Sequence, residues 1–109
     1  MNYAFQDKQN LYMVLDLHTG GDMRYYLLRE GPLNEVQLKF VIACVIQGLE
    51  CLHMKGIIHR DLKPENLLVD SDGYVKITDL GVARCIVKSS LKDAVPVTSG
   101  TPGYMRTLF

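Results

Sequence analysis

The sequence predicts an α+β fold on three observations. Residues 35–54 carry apolar side chains at helical spacing. A turn cluster, Asp70-Ser71-Asp72-Gly73, separates two short apolar runs. A third run, Leu11-Tyr12-Met13-Val14-Leu15, is apolar and follows a polar stretch, as a strand would. The chain has 109 residues, enough for one small domain, and its 48% hydrophobic and 22% charged content is that of an ordinary globular protein.

Taken in order, Tyr3-Ala4-Phe5, the polar residues 6–10 and residues 11–15 read as a hairpin or two adjacent strands. Gly20-Gly21-Asp22 opens a short helix over residues 23–29, capped by Asp22 and closed by Gly31-Pro32. The longest helix follows, from Glu35 to Met54. Asn34 is placed to accept the Gln37 backbone N–H while the Gln37 side chain reaches back, the logic of a capping box. Val41, Cys44, Val45, Gly48, Leu49 and Leu52 share one face, and Phe40, Ile42 and Ile46 extend the apolar surface most of the way round. Such a helix is expected inside a protein. Lys55-Gly56 ends it. Beyond Gly56 the period becomes extended, with Leu67-Leu68-Val69 and Tyr74-Val75-Lys76-Ile77-Thr78 flanking the turn cluster. Residues 88–100, rich in Ser, Thr, Lys and small side chains, are expected to form an exposed, mobile loop.

Composition excludes several functions. Lys plus Arg and Asp plus Glu both total 12, so no net field draws the chain to nucleic acid or anionic lipid. The longest strongly apolar run, residues 40–46, is far short of the roughly 20 residues of a bilayer span, so no membrane span is expected. The N-terminus lacks a basic start followed by an apolar core, so no signal peptide is expected. Three cysteines without paired spacing argue against a disulfide scaffold and for a reducing, cytoplasmic compartment. Cys44 and Cys51, both on the long helix, read as packing residues rather than metal ligands.

The chemistry is concentrated in His59-Arg60-Asp61-Leu62-Lys63-Pro64-Glu65-Asn66. Asp61 and Asn66 project oxygens from one loop, and the following hairpin would bring Asp79 back beside Asn66. Amide and carboxylate oxygens that converge suit a hard cation such as Mg²⁺, which also takes phosphate oxygens. Lys63 adds a cation suited to a transferring phosphoryl group, and Asp61 is free to accept a hydroxyl proton. Asp79-Leu80-Gly81 alone would be an ordinary turn, and His-Arg-Asp alone a surface charge cluster. The whole string with an Asp-x-Gly after a hairpin is far more specific. A structural divalent site without nucleotide would leave the segment from Leu11 to Asp22 without a use.

These motifs resemble the catalytic domain of eukaryotic serine/threonine protein kinases, and the resemblance covers nearly the whole chain. It implies a partial protein-kinase-like fold: the last small-lobe strands and hinge in residues 1–17, then the start of the large lobe in residues 18–109, with catalytic loop, hairpin and activation segment. It implies ATP and Mg²⁺ as cofactors, a protein substrate bearing Ser or Thr, and transfer of the γ-phosphate to that hydroxyl. Asp61 would orient or deprotonate the hydroxyl, Lys63 neutralise the γ-phosphate, and Asn66 and Asp79 hold the metal. Arg60 would read activation-loop phosphorylation, and Thr101, in Gly100-Thr101-Pro102-Gly103-Tyr104-Met105, would hydrogen-bond Asp61 and Lys63. Leu15 falls at the gatekeeper position, the backbones of Asp16 and His18 face the adenine, Asp22 lies near the ribose, and Leu68 forms the apolar floor. Thr98 and Ser99 are candidate phosphorylation sites, whereas Val97 replaces the threonine phosphorylated in many AGC kinases.

Leu80 stands where most kinases have Phe; it can still pack, with less aromatic area. Together with Gly-Gly-Asp and Gly-Tyr-Met, it resembles the receptor-kinase branch of the AGC group. The sequence carries no G-x-G-x-x-G loop, no strand lysine of the Val-Ala-Ile-Lys type and no Ala-Pro-Glu after Met105. An inactive, truncated kinase-like chain acting as a protein-interaction module is therefore the alternative expectation, and a chain short of packing partners is expected to be marginally stable.

Overall fold

The computed structural model describes residues 1–86 and 100–104. The elements follow the order β1 (Tyr3–Gln6), β2 (Leu11–Val14), α1 (Met23–Glu30), α2 (Glu35–Met54), β3 (Ile57–Ile58), a 3₁₀ turn (Pro64–Asn66), β4 (Leu67–Val69), β5 (Val75–Ile77) and β6 (Arg84–Cys85). Among the described residues there are three sheets, each of two antiparallel strands: β1 with β2, β3 with β6, and β4 with β5.

Local capping chemistry sets both helices. Asp22 accepts the Tyr25 N–H at 2.8 Å to start α1, which ends at Gly31 with φ 83°, a left-handed conformation that glycine adopts without strain. Asn34 and Gln37 form the reciprocal capping box of α2, at 2.9 and 3.0 Å. In α2 the predicted inner face is the observed one. Val45 is buried, and Val41, Cys44 and Leu49 pack on the cluster it forms with Met23 and Val75. Gly48 brings the helix against the β4–β5 hairpin so closely that a Cβ there would lie 2.9 Å from Ile77 Cδ1.

The rest of α2 departs from the expectation of a helix sunk inside a protein. Val36 is 77% exposed and Ile46 60%, and Phe40 and Ile42 also face outward. Only the hairpin, the Leu33 side and β3 lie against the helix among the described residues, so one stripe is covered and the others are not. The expectation about membrane spans also changes. Taken whole, α2 is long and apolar enough to cross a bilayer by length and composition, although its most apolar run is short. Its contacts are with β5 and the core cluster. Cys51 is exposed, so only Cys44 of the helix pair packs as expected.

The β4–β5 hairpin has the register Leu67↔Ile77, Leu68↔Lys76 and Val69↔Val75. Its turn is organised by Asp70, whose Oδ1 accepts the backbone N–H groups of Asp72 and Tyr74. Lys76 pairs with the same carboxylate at 3.1 Å. Residues 87–99 and 105–109 are outside the described residues. The expected mobile loop up to Ser99, Val97, Thr98, Ser99 and Met105 therefore fall outside them.

Candidate functional site

The loop between β3 and β4 is anchored from beneath by His59, which is only 2% exposed. Its Nε2 lies 2.9 Å from the Thr78 carbonyl oxygen, which can only accept, so Nε2 carries the proton. Nδ1 is then free to accept the Asp61 N–H at 3.2 Å. One buried ring thus ties Asp61 to the residue preceding Asp79. This junction was missed in the sequence, where His59 read as one member of a charged string.

Asp61, Lys63 and Thr101 close a triangle. Thr101 Oγ1 donates to Asp61 Oδ1 at 2.5 Å and accepts from Lys63 Nζ at 2.7 Å. Lys63 Nζ lies 3.0 Å from Asp61 Oδ2. Asn66 Nδ2 donates to the Asp61 carbonyl at 2.8 Å and to Oδ2 at 3.2 Å. These donors, Thr101 first and Lys63 second, hold the Asp61 carboxyl down at about 2. Lys63 is raised in turn, chiefly by its hydrogen bond to Asp61.

Asn66 and Asp79 are brought alongside one another by the hairpin: the Thr78 N–H donates to the Asn66 carbonyl at 3.0 Å. Asp79 Oδ1 accepts the Gly81 N–H at 3.0 Å. Both Arg60 and Asp79 have positive φ, 71° and 61°, strained for side-chain-bearing residues and held by the surrounding bonds. The Arg60 side chain is spent on the chain itself, donating from Nε to the Val82 carbonyl at 2.6 Å.

At the other edge, Asp22 and Leu68 face each other across an isolated antiparallel bridge, next to the Val69 N–H bond to the Gly21 carbonyl at 2.9 Å. Gly20 lies so close that a Cβ would fall 2.6 Å from the Val69 carbonyl oxygen. Gly20-Gly21 therefore lets the chain lie directly on β4. Leu15 and Asp16 are exposed and His18 half-buried. The Asp16 carboxylate is engaged by the Asn2 amide at 2.9 Å, which lowers its pKa. Leu80 is half exposed at the end of the groove between α2 and the hairpin.

Residues 1–106 match the protein kinase domain family. The chain belongs to that family. Among its curated relatives, "Protein kinase 2" of Dictyostelium discoideum is 43% identical over 105 residues, 96% of this chain and 21% of that protein. "Beta-adrenergic receptor kinase 1" of Homo sapiens is 42% identical over 105 residues, 96% of this chain and 15% of that protein. "Citron rho-interacting kinase" of Rattus norvegicus is 41% identical over 106 residues, 96% of this chain and 5% of that protein. This kinase chain thus spans about a fifth or less of the relatives named here. The receptor kinase, an AGC kinase, stands among them at an identity close to the others.

For a kinase, the donor set fits a hard cation. Asn66 uses its amide nitrogen on Asp61, which leaves Oδ1 for a ligand, and Asp79 commits Oδ1 to Gly81, which leaves Oδ2. Among the described residues no cluster of three or more His, Cys, Asp or Glu side chains could hold a metal. Two oxygen ligands are what Mg²⁺ uses when phosphate and water complete its shell.

Proposed function

We propose that this chain carries the catalytic loop of a serine/threonine protein kinase that transfers the γ-phosphate of ATP, with Mg²⁺, to a protein hydroxyl. The observation that carries the reading is the closed triangle of Asp61, Lys63 and Thr101. An ionised carboxylate has about four lone-pair sites. Thr101, Lys63 and Asn66 fill three of them, and the fourth is left for a substrate hydroxyl. With its pKa at about 2, Asp61 is a weak base toward an ordinary alcohol. It would orient the hydroxyl first and take its proton as the substrate oxygen bonds to the γ-phosphorus and the bond from that phosphorus to the β-phosphate oxygen breaks, releasing ADP.

Lys63 has three N–H donors, of which Asp61 and Thr101 engage two. The third would be available to a γ-phosphate oxygen, where fixed positive charge stabilises the transfer. Asn66 and Asp79 would hold Mg²⁺, which when bound supplies charge neutralisation at the phosphate oxygens. In the same reading Leu15 would be the gatekeeper, the Asp16 and His18 backbones would face the adenine, Leu68 would form its apolar floor and Asp22 would lie near the ribose. Arg60 reads loop phosphorylation with the part of its guanidinium not given to Val82. The branch nearest receptor kinases and a cytoplasmic location belong to the same proposal; the three free cysteines support the location.

The test is transfer from radiolabelled Mg²⁺–ATP to a generic Ser/Thr substrate by the longest natural protein carrying this sequence. Asp61→Asn and Asp79→Asn are expected to abolish transfer, and Cys44→Ala to retain it. Undiminished transfer by Asp61→Asn would remove Asp61 from the reaction. Absence of transfer and of any thermal shift with Mg²⁺–ATP in the parent would favour a non-catalytic interaction module.

A further inference from the structure

We propose that Gly48, on the far side of the hairpin from the site, sets how Asn66 and Asp79 are brought together; the inference rests on the metal role given to those two residues above. Gly48 lies in the interior of α2, where a glycine weakens a helix relative to alanine. What the glycine permits is close approach. A Cβ at this position would stand 2.9 Å from Ile77 Cδ1 and 3.2 Å from Ile77 Cγ1. Ile77 is β-branched and has few χ1 choices. Turning its terminal methyl aside clears Cδ1 and leaves Cγ1, so part of the displacement passes to the β5 backbone.

Ile77 ends β5 and precedes Thr78, where the ties of the site meet. The Thr78 N–H donates to the Asn66 carbonyl at 3.0 Å, its carbonyl accepts from His59 Nε2 at 2.9 Å, and Asp79 is the next residue. Ile77 is also the register partner of Leu67, the residue after Asn66. The contact with Gly48 therefore fixes from behind the level at which the hairpin holds both oxygen donors. Gly48 is a positioning residue in this scheme, because it touches neither metal nor nucleotide. Both Gly48 and Ile77 line the open groove between α2 and the hairpin. An alanine at 48 is thus met partly by side-chain adjustment, whereas a valine, with two methyls on the same Cβ, presses harder on the strand.

The experiment compares Gly48→Ala, Gly48→Val and the double variant Gly48→Ala/Ile77→Val in the longest natural protein carrying the sequence. Ile77→Val removes the Cδ1 methyl that the new Cβ would meet. One readout is Mg²⁺ affinity in the presence of a non-hydrolysable ATP analogue. The other is hydrogen exchange of the Thr78 amide without metal or nucleotide, taken relative to the Val45 amide, which reports α2 as a whole. Gly48→Val is expected to weaken Mg²⁺ binding about tenfold, the lower end of the 10–100-fold lost when a group supporting a metal ligand is changed, and Gly48→Ala less. Relative Thr78 exchange is expected to quicken severalfold in the same order. Both readouts should return toward the parent in the double variant. A merely structural role would lower the unfolding midpoint and leave Mg²⁺ affinity and relative Thr78 exchange at the parent values; that result overturns the inference. So does a loss in Gly48→Ala that Ile77→Val fails to relieve. If Gly48→Val does not fold, Gly48→Ala and the double variant decide between these outcomes. If the parent binds no Mg²⁺ with the analogue, the metal reading of Asn66 and Asp79 fails, while the exchange series still decides whether Gly48 holds Thr78 in place.

Discussion

Thr101 and Asp61, 40 residues apart in sequence, share a 2.5 Å hydrogen bond in which the hydroxyl donates to the carboxylate. The same hydroxyl oxygen accepts from Lys63. A threonine at this point is therefore both donor and acceptor, and it fixes the spacing between an anion and a cation. Thr101→Val keeps the shape and removes both bonds, whereas Thr101→Ser keeps them. Thr101→Val is expected to lower kcat by roughly 10² to 10³-fold, the range for losing one preorganised donor, and Thr101→Ser by much less. Steady-state kinetics on both variants checks this. Equal kinetics for the two would reduce Thr101 to a space-filling residue.

The carboxyl of Asp61 is held at about 2, below its ordinary 3.8, by Thr101 and Lys63. A folded-state pKa below the unfolded one contributes stability that is fully present above the unfolded value and is lost as pH falls through the folded one. Urea unfolding should therefore show Asp61→Asn less stable than the parent at neutral pH, with the gap closing between about 4 and about 2. The acid limb should move upward in Thr101→Val, whose Asp61 loses its largest stabilising bond. A gap that does not change with pH would mean the carboxylate is not held by these donors.

What the sequence made legible is mostly local. Asp22 and the Asn34–Gln37 pair announce helix starts because a cap satisfies N–H groups within one turn of itself. The hairpin turn is similarly local, and so is the inner face of α2, which follows from spacing alone. Pairings between distant residues were not legible. The two-residue strands Ile57–Ile58 and Arg84–Cys85 carry no periodicity of their own, and their pairing depends on the chain returning over α2. Arg24 and Glu65 form an ion pair, yet no pattern joins them across 41 positions. His59 looked like a surface charge because nothing beside it in sequence reveals that Thr78 lies under its ring. Thr101 was placed only through the family resemblance, since no local rule links it to Asp61.

Gly20 lies where no side chain fits. An added Cβ would approach the Val69 carbonyl oxygen to 2.6 Å and Val69 Cβ to 2.9 Å, and a backbone oxygen cannot step aside as a side-chain end can. Gly20→Ala is therefore expected to destabilise by roughly 1–3 kcal/mol, the usual cost of overpacking, and to push Asp22 away from Leu68. By contrast, Gly73→Ala meets no atom within 4 Å and carries only the strain of its positive φ of 86°. Chemical denaturation measures the first effect, and nucleotide affinity the second. Gly20→Ala should weaken ATP binding, whereas Gly73→Ala should leave it intact. Equal affinity in both would separate the Asp22–Leu68 edge from the nucleotide.

His59 offers a test of whether the loop is held by packing or by hydrogen bonds. His59→Phe keeps a flat ring, somewhat larger than imidazole, but supplies neither the proton for the Thr78 carbonyl nor the acceptor for the Asp61 N–H. Each group left buried without a partner costs about 1–3 kcal/mol, so a loss of that order or more is expected on denaturation. Because one of the two groups belongs to Asp61 and the other precedes Asp79, the loss should also reach the site. The variant should lower kcat and weaken Mg²⁺ dependence together, whereas a purely packing role would spare both. A ¹⁵N spectrum of the parent should show a proton on His59 Nε2, hydrogen-bonded to the Thr78 carbonyl. A ring protonated on Nδ1 instead would contradict the tie between the Asp61 backbone and the hairpin.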